Sequence, residues 1–341
     1  MKTYKSLLVL ILVITISCKE KLPEIKAQLV TEKTPHDTDD PAIWINKDNI
    51  DNSIVFGTDK DDFKGGIYAF DLKGKIIEDK TIKNVSYPNN VDVEYNFALT
   101  DSTSTDIIVF SQREKSNIRL FSVPDMKPLD NGGFKVFEDE NDIERKKPMG
   151  VSLYKNPING KTYAIVSRKV GPQQNYLYQY ELISSTDGVK ANLVRKFGTF
   201  SGQKEIEAIA VDDSNGFVYY SDEGVGIRKY YANPEKGNEE LAFFGGEYFE
   251  DDIEGIAIAK YEDKGFLIVS NQQAHTFNIF DLKTNKFIKE INLGTIETDG
   301  CDVVTIPLGK EFPNGLFVSM SDEKNFYFHD LKTLELDNKS E

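Results

Sequence analysis

The sequence predicts an all-β chain folded as a six-bladed β-propeller with four-stranded antiparallel blades. Three observations carry this. A short aromatic or aliphatic segment recurs six times, as IYAFDL from Ile67, IRLFSV from Ile118, LYQYEL from Leu177, IRKYYA from Ile227, FNIFDL from Phe277 and FYFHDL from Phe326. The first residues of these segments are 51, 59, 50, 50 and 49 apart, and a period near fifty residues marks a propeller or an array of repeats. Each copy is preceded by two further strand-like segments, and nowhere does helical periodicity of useful length interrupt the series.

Taken in chain order, residues 1–17 read as an export leader. Lys2 and Lys5 form a basic start, and the apolar run Leu7–Ile16 is shorter than the roughly twenty residues a membrane span needs. Ser17-Cys18 then resembles a bacterial lipoprotein box, in which the cysteine is lipidated, although Thr15 stands where leucine is usual. An ordinary secretory signal is the alternative. The expectation is an exported chain anchored to a membrane only through Cys18, or otherwise secreted. Residues 18–26 read as a polar tether, and a single propeller domain occupies 27–341.

Within that domain the innermost strands are expected at PAIWIN, VDVEYN, GVSLYK, EAIAVD, EGIAIA and DVVTIP, and the second strands at SIVFGT, DIIVFS, TYAIVS, GFVYYS, GFLIVS and GLFVSM. Gly, Asp, Asn and Pro bound these β-branched and aromatic runs, as strand ends require. Outer strands follow as KIIEDKTI, FKVFED, LVRKFG and FIKEIN, with none assigned to the fourth copy. The sixth copy runs out of chain, so QLVTEK at 28–33 is expected to supply its outer strand and close the ring, hiding an open sheet edge. An ordinary β-sandwich is the competing architecture. An even ring of blades gives no reason to expect more than a monomer.

Composition narrows the function. With 41 Lys+Arg against 56 Asp+Glu, the formal charge is −15, and loss of Lys2 and Lys5 with the leader makes it −17. Such a surface cannot displace the counterions of a nucleic acid. Two cysteines build neither a disulfide framework nor a thiolate zinc site, and Cys301 is expected to be a small buried residue. Phosphate-binding Gly-x-x-x-x-Gly-Lys loops, Gly-x-Ser-x-Gly elbows, Arg-His-Gly and cysteine-phosphatase motifs are all absent.

Net charge alone disfavours an anionic ligand, but its distribution reverses that. The starts of the innermost strands and the ends of the second strands meet on one face of a propeller. The starts carry Asp39-Asp40-Pro41, Asn89-Asn90-Val91-Asp92, Glu205, Glu207, Asp251-Asp252, Glu254, Glu297, Asp299 and Asp302. The ends carry Asp59-Lys60, Arg113, Arg168-Lys169, Asp222-Glu223, Gln272 and Asp322. Carboxylates this crowded need protons or cations to neutralise them. Oxygen-only ligands favour hard cations, and supply from several loops favours Ca²⁺ over Mg²⁺. The basic residues beside them suit phosphate or carboxylate oxygens, Arg113 bidentately. For any one acid, a plain turn role is the alternative. Asp71, Asp281 and Asp330 fall on the opposite face as turn residues. His36 is expected to be a solvated loop residue and His329 to lie within a strand.

DTDDPAIWIN, SIVFGTDK, GGIYAFDLKGK, NNVDVEYNF, SQRE, DIEGIAI and ETDGCDV, in that order over roughly residues 36–322, resemble the β-propeller phytases. The resemblance implies a six-bladed, calcium-dependent, exported enzyme that releases phosphate from inositol hexakisphosphate (phytate) by attack of a metal-activated water. Carried across by motif, ligands for several calcium ions would fall on Asp39, Asp40, Asn90 or the Val91 carbonyl, Glu207, Asp252, Glu254 and Asp299. Phosphate would be held by Lys60, Arg113 and Lys169, with Arg168 and Gln272 beside them. Glu207 and Glu223 would be the metal-held or water-orienting acids. The match departs from the family at Asp61, where a second lysine is common, at Met149 for tyrosine, at Val170 for an acid, and at Ala208 for glycine after Glu207. Three other readings stay open, a six-bladed calcium-dependent lactonase, a non-catalytic propeller used as a binding module, and a broader phosphomonoesterase that accepts an aryl phosphate as readily as phytate.

Overall fold

The computed structural model describes residues 21–336 as 24 strands in six four-stranded sheets arranged as blades. The closing strand β1 (Leu29–Val30) comes first. Blade one is then β2 (Thr38–Trp44), β3 (Ile54–Asp59), β4 (Gly65–Phe70) and β5 (Ile82–Val85). Blade two is β6 (Val91–Ala98), β7 (Ser104–Gln112), β8 (Asn117–Val123) and β9 (Phe134–Lys135). Blade three is β10 (Pro148–Lys155), β11 (Thr162–Arg168), β12 (Gln174–Ser185) and β13 (Gly188–Thr199). Blade four is β14 (Ile209–Asp212), β15 (Phe217–Asp222), β16 (Gly226–Tyr231) and β17 (Glu240–Phe244). Blade five is β18 (Ile253–Lys260), β19 (Gly265–Asn271), β20 (Thr276–Asp281) and β21 (Phe287–Ile291). Blade six orders β22 (Cys301–Val304), β23 (Leu316–Ser321) and β24 (Asn325–Asp330) inside β1. All pairings within the blades are antiparallel, for example β1 with β24 and β2 with β3. Among the described residues the only helical turns are short 3-10 segments, and no helix is long and apolar enough to cross a membrane.

A blade has two apolar faces, so it must be covered on both sides. The core is accordingly six apolar layers, each between two neighbouring blades. Ile107, Val109 and Leu120 of blade two meet Val151, Ala164 and Tyr178 of blade three, and Phe277 and Ile279 of blade five meet Phe317 of blade six. The layer between blades one and six closes the ring. There a Cβ on Gly57 would sit 2.2 Å from the Phe326 ring, so only glycine lets that ring lie flat on β3. Closure is completed by β1, where Leu29 faces Phe328 and Thr31 N–H donates to the Phe326 carbonyl at 3.0 Å.

The innermost strands β2, β6, β10, β14, β18 and β22 leave one edge free toward a central channel of about 210 Å³. Carboxylates from neighbouring blades satisfy part of that edge. Asp302 accepts the Ile43 N–H at 2.7 Å, Asp40 accepts Val91 N–H at 3.1 Å, and Asp92 accepts Leu153 N–H at 2.7 Å and the Ser152 hydroxyl at 2.8 Å.

Several local expectations are corrected. The outer strand of blade one lies at Ile82–Val85, after a 3-10 turn at Glu78–Lys80, rather than across KIIEDKTI. That of blade two shrinks to Phe134–Lys135, because the 12-residue strands β12 and β13 reach across and pack Val189 against blade two. The 59-residue interval reflects the long connection between β9 and β10, residues 136–147, which includes a 3-10 turn at Glu144–Lys146. Blade four has its own outer strand, ELAFF. The tether is docked in its second half. Ile25 N–H donates to the Asn292 carbonyl at 2.8 Å, and its side chain packs on the layer between blades five and six. Cys18 and the leader lie outside the described residues. His329 is a buried residue of β24, as expected, and Cys301 is buried.

The interblade carboxylates give a direct test. Asp302→Ala leaves the Ile43 N–H unpaired between blades, and its expected cost is about 1–3 kcal/mol of unfolding free energy. Urea denaturation of metal-free protein measures it.

Candidate metal and phosphate site at the mouth of the propeller

The mouth is built from irregularities at the starts of innermost strands. Register shifts fall between Thr38 and Pro41, between Pro148 and Val151, and between Ile253 and Ile256. These bulges re-aim side chains and contain Asp39-Asp40, Met149-Gly150 and Glu254. Gly150 is obligatory, since a Cβ there would lie 1.8 Å from the Glu207 carbonyl oxygen. Its bareness lets blade four bring Glu207 up to blade three.

One ammonium organises the centre. Lys60 Nζ lies 3.0 Å from Asp299, 3.4 Å from Asp39 and 3.5 Å from Asp37. Asn89 donates from its side-chain amide to Asp39 at 3.2 Å and to Glu207 at 3.3 Å. Gln272 donates to Asp299 at 2.6 Å. Beyond this group, Lys169 pairs with Glu205 at 2.6 Å, while Lys204 pairs with Asp251 at 2.6 Å and also touches Asp252. Oxygens of Glu205, Glu207 and Glu223 all lie within 4.8 Å of one another. Arg113 stacks on the Tyr87 ring, 3.4 Å from its centroid, and its Nη1 lies 3.5 Å from the Met149 sulfur. Asn90 N–H donates to Ser111 Oγ, and the Val91 N–H goes to Asp40 on the channel side.

Burial and crowding disfavour the charged forms of these acids. Burial, then neighbouring carboxylates, pushes Glu223 up to about 9. Burial likewise raises Glu207 to about 6, against the pull of Lys60. Asp39, Asp40 and Glu254 are driven well above the carboxylate range, chiefly by burial. Asp299 is raised by burial against Lys60. Burial opposes the charge on Lys60, but Asp39, Asp299 and Glu207 outweigh it and raise its pKa.

The donor set fits a hard cation. Asp39 Oδ1, Asn89 Oδ1, Asn90 Oδ1, Glu223 Oε1 and Glu254 Oε2 are buried without a hydrogen-bond partner. Each such orphan costs about 1–3 kcal/mol. All five are oxygens, the ligand type of Ca²⁺ or Mg²⁺ and not of softer metals. Sequence reasoning gathered Asn89 at the mouth without giving it a role and did not name Lys204, although it stands beside Glu205.

Other positions are not brought to the mouth. Arg168 is fully buried below it, bonded to Glu140 at 2.6 Å and to the Tyr176 and Asn175 carbonyls at 3.0 and 2.9 Å, over the Phe137 ring. Its guanidinium is used up inside blade three and is not a substrate contact. His36 is not merely solvated, since its Nδ1 lies 2.6 Å from the buried Asp59 carboxylate. Asp222 is taken by Arg228 at 2.8 Å. Asp61 turns its carboxylate onto the Phe63 and Lys64 N–H groups, Val170 is exposed, and Met149 is buried beneath Arg113. A cavity of about 730 Å³ around Trp44, Lys73, Pro124 and Lys310 lies on the opposite face and carries none of these residues.

The fold and the site together define a class: propellers that gather oxygen ligands for hard cations beside basic residues for an anion. A family model described as phytase matches residues 9–328. The chain is 30% identical over 302 residues to the 3-phytase of Bacillus subtilis (strain 168), a match covering 84% of this chain and 74% of that protein. The chain belongs to the phytase family.

Two outcomes follow from this geometry. The folded pKa values of Glu207 and Glu223 are raised, so their contribution to stability is present below the unfolded carboxyl pKa of about 4.3. It is lost as pH rises through about 6 and then about 9. With chelator present, the melting temperature is therefore expected to fall between pH 5 and pH 9.5, and added divalent cation to remove the decline; calorimetric scans at each pH check this. Arg168→Met is expected to cost about 3–5 kcal/mol of stability by stranding Glu140, read by denaturant titration, rather than to act on turnover.

Proposed function

We propose that the chain hydrolyses phosphomonoesters of phytate with calcium ions held at the mouth. The observation that carries this reading is the set of partnerless buried oxygens, on Asp39, Asn89, Asn90, Glu223 and Glu254, directly beside Lys60 and Glu207. Family membership names the substrate class. Asp39, Asp40, Asn90, the Val91 carbonyl, Glu207, Asp252, Glu254 and Asp299 are the candidate ligands. Bound calcium supplies Lewis acidity to phosphate oxygens and acidifies a water.

The protein's own groups do the rest. Lys60, Arg113 and Lys169 hold phosphate oxygens and offset charge that spreads onto them as the ester bond breaks. Arg113 is held in place by the Tyr87 ring against its face and by the Met149 sulfur, which accepts from Nη1, and its remaining N–H groups are left to pair with phosphate oxygens. Glu223 Oε1 is buried without a partner, and bound cations would offset the crowding that raises its pKa, leaving its carboxylate to orient the attacking water and take its proton. Gln272 holds Asp299 through Oδ1 while Lys60 pairs with Oδ2, so the fixed carboxylate positions the Lys60 ammonium at the mouth. With Arg168 turned inward and neither Asp61 nor Val170 reaching in, the phosphate contacts are fewer than the resemblance implies.

We also propose that the leader exports the chain and that Cys18 carries a lipid anchor, with the propeller acting as a monomer. Loss of membrane association in Cys18→Ala, followed by fractionation, tests the anchor.

Phosphate release from phytate is expected to need Ca²⁺ and to stop on chelation, with slower release from an aryl phosphate and no opening of a lactone. Full activity in metal-free buffer would sink the reading. Arg113→Ala is expected to lower kcat about 10²–10³-fold at an unchanged melting temperature. Asp252→Asn is expected to weaken calcium binding and calcium-dependent thermal protection together.

A further inference from the structure

Lys204 stands in the loop that carries Glu205 and Glu207, with its backbone in the left-handed region at φ +50. Its ammonium bridges Asp251, at 2.6 Å, and Asp252. The side chain is 36% exposed, and its stem passes over Gly224, next to Glu223. Asp252 is thus the candidate ligand whose carboxylate is engaged by a lysine at the rim rather than by the central Lys60.

We propose that Lys204 is a substrate-contacting residue held in reserve by the metal site, released from Asp252 when that carboxylate takes a divalent cation and then free to pair with a phosphate of the polyanionic substrate. The inference rests on the function proposed above. Asp252 cannot serve an ammonium and a divalent ion at the same oxygens without like charges meeting there. A half-exposed lysine has a flexible four-carbon stem and can swing away at little cost. Its position on the mouth matters because Asp61, which stands where a second lysine is common, provides no cation there. In the cation-free state the ammonium shields the carboxylates, and in the loaded state it enlarges the basic rim. Lys204 therefore opposes metal binding and supports substrate binding.

These opposite signs make the test. Calcium titrations by calorimetry on the metal-stripped full-length chain, and steady-state phytate hydrolysis at saturating calcium, are measured for wild type, Lys204→Gln, Lys204→Arg and Lys73→Gln. Lys204→Gln is expected to bind calcium about two- to fivefold more tightly, the scale of one half-exposed ion pair. It is expected to raise KM for phytate about fivefold with kcat within about twofold. A merely structural lysine would weaken calcium binding as well. Lys204→Arg is expected to stay near wild type, and Lys73→Gln, which changes net charge equally on the opposite face, to move neither constant. Calcium affinity that is unchanged or weaker in Lys204→Gln, or an unchanged KM, overturns the inference while leaving the proposed function standing. A wild-type chain that takes up no calcium removes that function and the inference with it.

Discussion

Every blade of this propeller ends, at its inner side, in a strand edge that no further strand can cover. Unpaired N–H and C=O groups at such an edge are costly when buried. The chain meets that constraint with carboxylates borrowed across blades: Asp302 on Ile43, Asp40 on Val91 and Asp92 on Leu153. Burial raises Asp302 to about 7 and Asp92 to about 6, so these acids sit close to neutrality while they hold neighbouring blades in register. Acidity is therefore part of the architecture before any ligand is considered.

The same arrangement continues to the mouth, where bulges replace regular pairing and the next carboxylates find no backbone donor. Asp39, Glu223 and Glu254 are left with free oxygens, and the lysines that remain, Lys60, Lys169 and Lys204, neutralise only part of the charge. Channel and mouth thus use one side-chain type in two ways. Where a backbone N–H is available the carboxylate joins blades, as Asp40 does with Val91, and where none is available its oxygen is left open to a cation. On the function proposed above, that division reconciles a net charge of −15 with an anionic substrate: the anion would meet cations gathered at the mouth.

Much of this was legible in the sequence. A fifty-residue period fixes six blades because each blade repeats the same strand lengths and turns, and the shortage of chain after Phe326 pointed to the strand at 28–33. Residue types at equivalent points of different blades identified the mouth. What failed was direction. Arg168 and Lys169 are neighbours, and side chains alternate across a strand, so one reaches Glu205 while the other lies on Phe137. His36 was read as solvated because its partner, Asp59, is close only once β3 is folded beside it. The outer strand ELAFF carries a weak pattern, since it is covered on one side only and stays half exposed. Lys204 was passed over because a lone lysine in a Ser-Gly-Gln-Lys turn has nothing in sequence to tie it to Asp252, 48 residues on.

The closing strand also sets the order of assembly. Thr31 accepts the Phe326 N–H across a separation of 295 residues, and the N–H groups of Gln28, Thr31 and Thr34 donate to the carbonyls of Phe328, Phe326 and Lys324. A segment made first must therefore wait, unpaired, until the last blade has been synthesised. The loop-closure entropy of so distant a contact is met only at the end of folding. Until then Leu29–Val30 has no partner strand, and once β24 is made its outer edge stays bare until the two pair. The polar, charged residues flanking the waiting strand, Lys26 before it and Glu32 and Lys33 after it, keep it soluble while it waits. Ring closure is thus the step at which a row of independent blades becomes one cooperative body, and the carboxylate-lined mouth comes into being only then.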